Sequence, residues 1–192
     1  MGRFVHESSG GNFTPPPVGT HVARCFKLVD IGTQHGEYQG KPTTRVQHLA
    51  FFELPNELVQ TDEGERPAIA TKFYTTSMNE KAAWRNDLEG WRGQAFTDED
   101  LAQFDNEQML GCPCMLSIVA TTKSDGTKGA KIASVVALPK GMECPPQVNK
   151  SFSFWMDDFD EDEFNKLSDG IKKLIMRSDE YAAIKLRGAG KP

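Results

Sequence analysis

The chain has little of what a catalyst or a membrane-spanning protein needs. It carries no Walker loop, no dinucleotide-binding glycine fingerprint, no G-x-S-x-G elbow and no H-E-x-x-H pair, the residues that phosphoryl transfer, dinucleotide chemistry, serine hydrolysis and zinc proteolysis rely on. A non-enzymatic protein is expected. No stretch approaches the roughly 18 consecutive apolar residues of a spanning helix, and the segment Met1 to Gly11 lacks the apolar run of a signal peptide. A cytosolic location is therefore expected. Basic excess is missing too: 22 Lys and Arg face 27 Asp and Glu for a net charge of -5, which argues against general coating of polyanions. Cysteine is scarce. Cys112-Pro-Cys114 has no second close Cys or His pair to complete a tetrahedral site, so Cys25, Cys112, Cys114 and Cys144 read as reduced and mostly buried, with no metal and no cofactor.

What is present is an uneven distribution of charge. Residues 20–52, 69–95 and 112–141 carry net charges of +2, +1 and +3, whereas residues 53–68 and 96–111 carry -4 and -5. The strand-bearing stretches are therefore positive and the acid sits in connecting segments, a pattern that allows a basic face on an acidic protein.

The order of periodic segments between Val18 and Gly141 is β-β-β-α-β-β. Strand alternation runs from Thr20 to Ile31, from Thr43 to Leu54, and from Ile69 to Thr75. Ala23, Cys25, Val29 and Ile31 are expected on one face of the first strand, with Arg24 and Phe26 on the other. On the second, Val46, His48, Ala50, Phe52 and Leu54 point inward and Arg45, Gln47, Leu49 and Phe51 outward, His48 reading as a core histidine. Gly32 to Pro42 reads as a loop, and Glu53 to Arg66 as an acidic insertion. Ser77-Met-Asn-Glu80 matches a capping box at the start of a Ser77–Arg92 helix, whose stripe Trp84, Leu88 and Trp91 ends at Gly93. Those tryptophans could stack on bases, but core packing is the stronger reading. Thr97-Asp-Glu-Asp100 marks a second short capped helix. Cys114 to Thr121 and Ala130 to Leu138 form the last strands, joined by a hairpin at Asp125-Gly126.

This order predicts a mainly β fold: a five-stranded Greek-key barrel of the OB type with a helix between strands three and four and a helical C-terminal extension. The organisation expected is a flexible arm over 1–17, the barrel over 18–141, and a linker, acidic segment and short helices over 142–192. Such barrels hold single strands with basic side chains for phosphates and exposed rings for bases. The candidates are Arg24 and Phe26 on strand one, Tyr38 and Lys41 in the first loop, Arg45 and Phe51 on strand two, Lys72 and Tyr74 on strand three, and Lys123, Lys128 and Lys131 around the last hairpin. Two bland readings compete. Phe26 and Phe51 can pack under the arm or the tail, and the three lysines can be a solvated hairpin tip.

Several phrases resemble a family of small tailed-bacteriophage proteins: Gly19-Thr-His-Val-Ala-Arg-Cys25, Val29-Asp-Ile-Gly-Thr33, Lys72-Phe-Tyr-Thr75, Asn79-Glu-Lys-Ala82, Asp87-Leu-Glu-Gly-Trp-Arg-Gly93 and Leu110-Gly-Cys-Pro-Cys114. The resemblance covers about residues 18–180. Members are mostly uncharacterised or described as single-stranded DNA-binding proteins, which implies a role in phage replication or recombination in the cytoplasm of an infected bacterial host. Met156-Asp-Asp-Phe-Asp-Glu-Asp162 is similar to the acidic tip with which bacterial single-stranded DNA-binding proteins recruit partners. That similarity implies contact with replication or recombination proteins through Asp157 to Glu163. Here, however, the chain continues past these acids, so the free terminal Phe carboxylate of that tip is missing. The alternative is a phage protein-binding module that contacts a host or phage protein through the barrel or the acidic tail.

Overall fold

The computed structural model describes residues 15–189, so the expected N-terminal arm lies outside the described residues as far as residue 14. Five antiparallel strands form a curled half-barrel in the order β3-β2-β1-β4-β5. They are β1 (Gly19–Tyr38), β2 (Lys41–Thr61), β3 (Gly64–Thr75), β4 (Pro113–Thr122) and β5 (Lys128–Val136). Between β3 and β4 lie α1 (Ala83–Arg92), α2 (Asp98–Gln103) and a 3₁₀ turn at Asn106–Met109. The C-terminal part adds β6 (Phe152–Phe154), parallel to β1, and then α3 (Glu161–Asn165), α4 (Asp169–Ile175) and α5 (Asp179–Ala189).

The first two hairpins are longer than alternation alone suggests. Gly32 to Pro42 is no loop: β1 runs on to Tyr38 and pairs with β2 down to Tyr38↔Lys41. The reversal takes only Gln39 and Gly40, whose φ values of 51° and 74° are those of a type I′ turn. Likewise the acidic stretch Glu53 to Arg66 is mostly strand, continuing to Thr61↔Gly64 past an irregularity between Leu54 and Leu58. Glu53 itself is fully buried. Its carboxylate accepts from the backbone N–H groups of Val148 at 2.9 Å and Asn149 at 2.8 Å, and from Asn149 Nδ2 at 2.7 Å.

Two bulges in β1, between Cys25 and Lys27 and between Asp30 and Gly32, each insert a residue and so exchange the faces of the strand residues after it. Ala23, Cys25 and Leu28 therefore face the half-barrel core, while Phe26, Val29 and Ile31 face the opposite side. The set expected on one face is split. On β2, which has no bulge there, Ala50, Phe52 and Leu54 do line the barrel core, and Leu49 and Phe51 point the other way.

That other side is a second core. Phe154, Met156, Phe164, Leu167, Ile171 and Ile175 pack on Phe26, Val29, Ile31, Leu49 and Phe51, all 0–7% exposed. The C-terminal segment is thus a layer on the outer face of β1 and β2.

The helix after β3 begins at Ala83, six residues later than expected, with no side-chain cap. Ser77 Oγ instead accepts from Asn79 N–H at 3.2 Å, and Asn79 Oδ1 from Lys81 N–H at 3.1 Å, so these polar residues shape a turn. Trp84, Leu88 and Trp91 plug the half-barrel as expected. Thr97 caps α2 in a full capping box with Asp100.

Candidate functional site

Five of the eleven candidate residues are held inside the fold. Arg24 directs Nη1 to the Gly111 carbonyl at 2.6 Å and Nη2 to the Pro145 carbonyl at 2.9 Å, tying β1 to the start of β4 and to the chain beyond β5. Phe26 and Phe51 lie in the second core with ring centroids 6.4 Å apart. They pack under the tail, the bland reading, because the C-terminal helices bring enough apolar surface to cover that face. Lys72 and Tyr74 face the barrel core rather than outward. Their cross-strand partners explain this: Ala50↔Lys72 and His48↔Tyr74 pair them with inward residues of β2, and directly opposed side chains share a face.

These inward groups form a buried polar cluster. Asp87 Oδ2 receives Tyr74 Oη at 2.7 Å and Lys72 Nζ at 2.5 Å. Burial, reinforced by the Asp87 charge, pushes the Tyr74 phenol well above its ordinary range. His48 stacks on Tyr74 at 5.5 Å, meets Trp84 edge-on at 4.8 Å, and places Nδ1 2.9 Å from Thr76 Oγ1. Burial pulls its imidazole down to about 4. The sequence held a signal for this cluster: Asp87 lies in the same helical stripe as Trp84, Leu88 and Trp91, where a carboxylate needs a buried partner.

The other six candidates are exposed but form two separate groups. Tyr38, Lys41 and Arg45 lie on the two-stranded ribbon made by the far ends of β1 and β2. Tyr38 faces Lys41 directly and Gln34 faces Arg45, so alternation puts all three on one face of the ribbon. Lys123, Lys128 and Lys131 surround the β4–β5 hairpin and are also exposed. There the register pairs Thr122↔Lys128 and Val119↔Lys131, so Lys128 and Lys131 point to opposite faces. Because β1 pairs with β4 only through Gly19–Arg24, the β4–β5 tip lies past the start of β1, whereas the ribbon is formed at its far end. The expected single array does not assemble.

Sequence reasoning missed the groups that hold the ribbon. Thr33, Gln34 and His35 bond to residues around Leu174–Glu180, some 140 or more positions away, and nothing local in the sequence announces such a pairing.

A recess of 610 Å³ lies elsewhere, between α1, α2 and the start of β4, lined by Trp91, Arg92, Phe96, Phe104, Met109 and Cys112 among others. It contains none of the eleven candidates. Cys25 and Cys114 are buried, and burial raises their thiols well above the usual range; Cys112 and Cys144 are half-buried. Among the described residues, no group of three or more His, Cys, Asp or Glu side chains is placed to hold a metal ion, and no helix is long and apolar enough to cross a membrane. No protein-family model and no curated protein matches the chain.

Proposed function

We propose that this chain is a non-enzymatic, sequence-tolerant single-stranded DNA-binding protein on an OB-type half-barrel, acting in phage replication or recombination within the bacterial cytoplasm. The strand order β3-β2-β1-β4-β5, with α1 between β3 and β4, is the Greek-key order of such a barrel, and the two edge strands β3 and β5 approach one another. The outer face of β1 and β2 is covered by the C-terminal layer, so the contacts are assigned to the exposed hairpins. The observation that carries this assignment is the ribbon, where one aromatic ring and two cations, Tyr38, Lys41 and Arg45, share an exposed face. Lys123, Lys128 and Lys131 supply phosphate contacts at the other end. The phage role rests on the resemblance of the sequence phrases.

The test is titration of a labelled oligo-dT of about 30 nucleotides. Binding at about 50 mM salt is expected, with log K falling against log[salt] by about 0.7 per phosphate contacted. Lys41→Ala/Arg45→Ala should weaken binding and flatten that slope. Absence of binding would favour the second reading, a protein-binding module. One observation supports that reading: around the packed Phe159 and Phe164, the acids Asp157, Asp158, Asp160, Glu161 and Asp162 are all exposed, available to a replication or recombination protein.

A further inference from the structure

The ribbon that carries Tyr38, Lys41 and Arg45 projects beyond its sheet neighbours. Pairing of β2 with β3 stops at Gln47↔Thr75, β4 reaches β1 only as far as Arg24, and β6 only as far as Val29. A two-stranded ribbon alone is marginally ordered in water. Its root is nevertheless gripped, and from the junction of α4 and α5.

Glu180, in the first turn of α5, accepts two hydrogen bonds from Thr33: from the backbone N–H at 2.7 Å and from the hydroxyl at 2.7 Å. Its neighbour Asp179 meets His35 Nε2 at 2.8 and 3.0 Å, and the other ring nitrogen of His35 lies 3.1 Å from Thr44 Oγ1 on the opposite strand. Gln34 Nε2 donates to the carbonyl of Leu174 at 3.1 Å and to that of Ile31 at 2.7 Å. The approach is close enough to require glycine at the bulge. Gly32 has φ +67°, and a Cβ there would stand 2.5 Å from Glu180 Oε2 and 2.8 Å from Ser178 Cβ. Ser178 in turn fixes the start of α5, donating to the Ile175 carbonyl at 2.7 Å and accepting from Tyr181 N–H at 3.1 Å. Three consecutive ribbon residues are thus tied to one junction.

We infer that the α4–α5 junction is a positioning clamp for strand binding: Glu180 and Asp179 fix the root of the ribbon so that Tyr38, Lys41 and Arg45 meet a single strand pre-aligned. The inference rests on the ribbon being the site. Fixing a binding element in advance removes the ordering cost that would otherwise oppose association. Glu180 and Asp179 are positioning residues: they act through Thr33 and His35 of β1 rather than by contact with the bound nucleic acid. The sign of their effect separates this role from simple electrostatics. Two carboxylates beside a phosphate-binding ribbon repel the ligand, so charge alone makes Glu180→Ala bind more tightly. Positioning makes it bind more weakly, because alanine offers no acceptor to the N–H or the hydroxyl of Thr33.

The experiment uses the full chain with Glu180→Ala, Thr33→Val and Thr33→Ser, and reads amide hydrogen exchange together with oligo-dT titration. Glu180→Ala and Thr33→Val are expected to speed exchange of the ribbon amides by about tenfold, the signature of local opening, while β4 amides keep their protection. Both should weaken oligo-dT binding severalfold, and Thr33→Ser, which keeps the hydroxyl, should retain both properties. Unchanged ribbon exchange in Glu180→Ala, or affinity equal to or above wild type, overturns the clamp. Undiminished affinity in Lys41→Ala/Arg45→Ala overturns the ribbon as the site and the inference with it. Weakened binding there with unaltered binding in Glu180→Ala overturns the clamp alone.

Discussion

His48 carries a consequence for stability that a surface histidine would not. It is fully buried and held among aromatic rings, with its imidazole lowered by burial from 6.5 to about 4. The unfolded chain therefore takes up a proton near pH 6.5 that the folded chain refuses until about pH 4. Its contribution is intact above pH 6.5 and is lost as pH falls toward 4, to a limit of about 3 kcal/mol. Urea midpoints at pH 7 and pH 4.5 should differ more for wild type than for His48→Phe, which cannot titrate; equal differences would remove His48 as the source. Asp87 makes a complementary case. Asp87→Asn leaves Lys72 charged in a half-buried site without its counter-ion, and should cost about 3–5 kcal/mol. Chemical denaturation would show this directly, and Lys72→Met/Asp87→Leu/Tyr74→Phe, which also removes the Tyr74 hydroxyl that donates to Asp87, should lose markedly less. This cluster was only partly legible. The apolar stripe on α1 and the core position of His48 could be read from spacing, but the partners of Asp87 could not, because Lys72 and Tyr74 look equally suited to an outer basic face.

At the scale of elements, what alternation could and could not tell is set by regularity. β2 has no bulge from Thr43 to Leu54, and from His48 onward its two faces fall where period two puts them; Val46, expected inward, lies beyond the core on the ribbon and is exposed. β1 has two bulges, and each reverses the assignment without leaving a mark in composition. Turn signals misled where polar residues are tolerated in an exposed ribbon: Gly36 and Pro42 sit within the β1–β2 pairing and do not end it. Caps show the same ambiguity. Ser77-Met-Asn-Glu80 and Thr97-Asp-Glu-Asp100 are equally persuasive on paper, yet only Thr97 caps a helix, because the chain from Ser77 to Ala82 is still turning from β3 toward the mouth of the half-barrel. Thr97→Ala should therefore cost about 1 kcal/mol, and Ser77→Ala only a few tenths. Melting curves of the two variants would decide, and equal losses would contradict the cap assignment.

For the whole molecule, the sequence suggested a barrel with an acidic tail, whereas the fold is two cores on either side of one sheet. Aromatics among acids, from Phe152 to Phe164, read as an acidic segment appended to the barrel because their partners, Phe26, Leu49 and Phe51, also suited an exposed binding face. Each half explains the other: the outer face is apolar because it is covered. Deleting residues 150–192 would expose Val29, Ile31, Leu49 and Phe51, all at most 3% exposed in the intact chain. Such a truncation should lower the melting temperature sharply or yield aggregated protein, and so cannot report on competition between the acids and a bound strand. Phe164→Ala, which removes one 7% exposed ring from that layer, should cost about 3–5 kcal/mol by itself. Competition is better examined with Asp157→Asn/Asp158→Asn, since both side chains are exposed and neither caps a helix, unlike Asp160, which accepts from Glu163 N–H at 2.8 Å. That variant should melt as wild type does. If the acids compete with phosphates, its oligo-dT affinity rises at low salt, and the gain vanishes at a few tenths molar, where the screening length falls below about 8 Å. An affinity equal to wild type at every salt concentration would mean that the acidic surface faces something other than the strand.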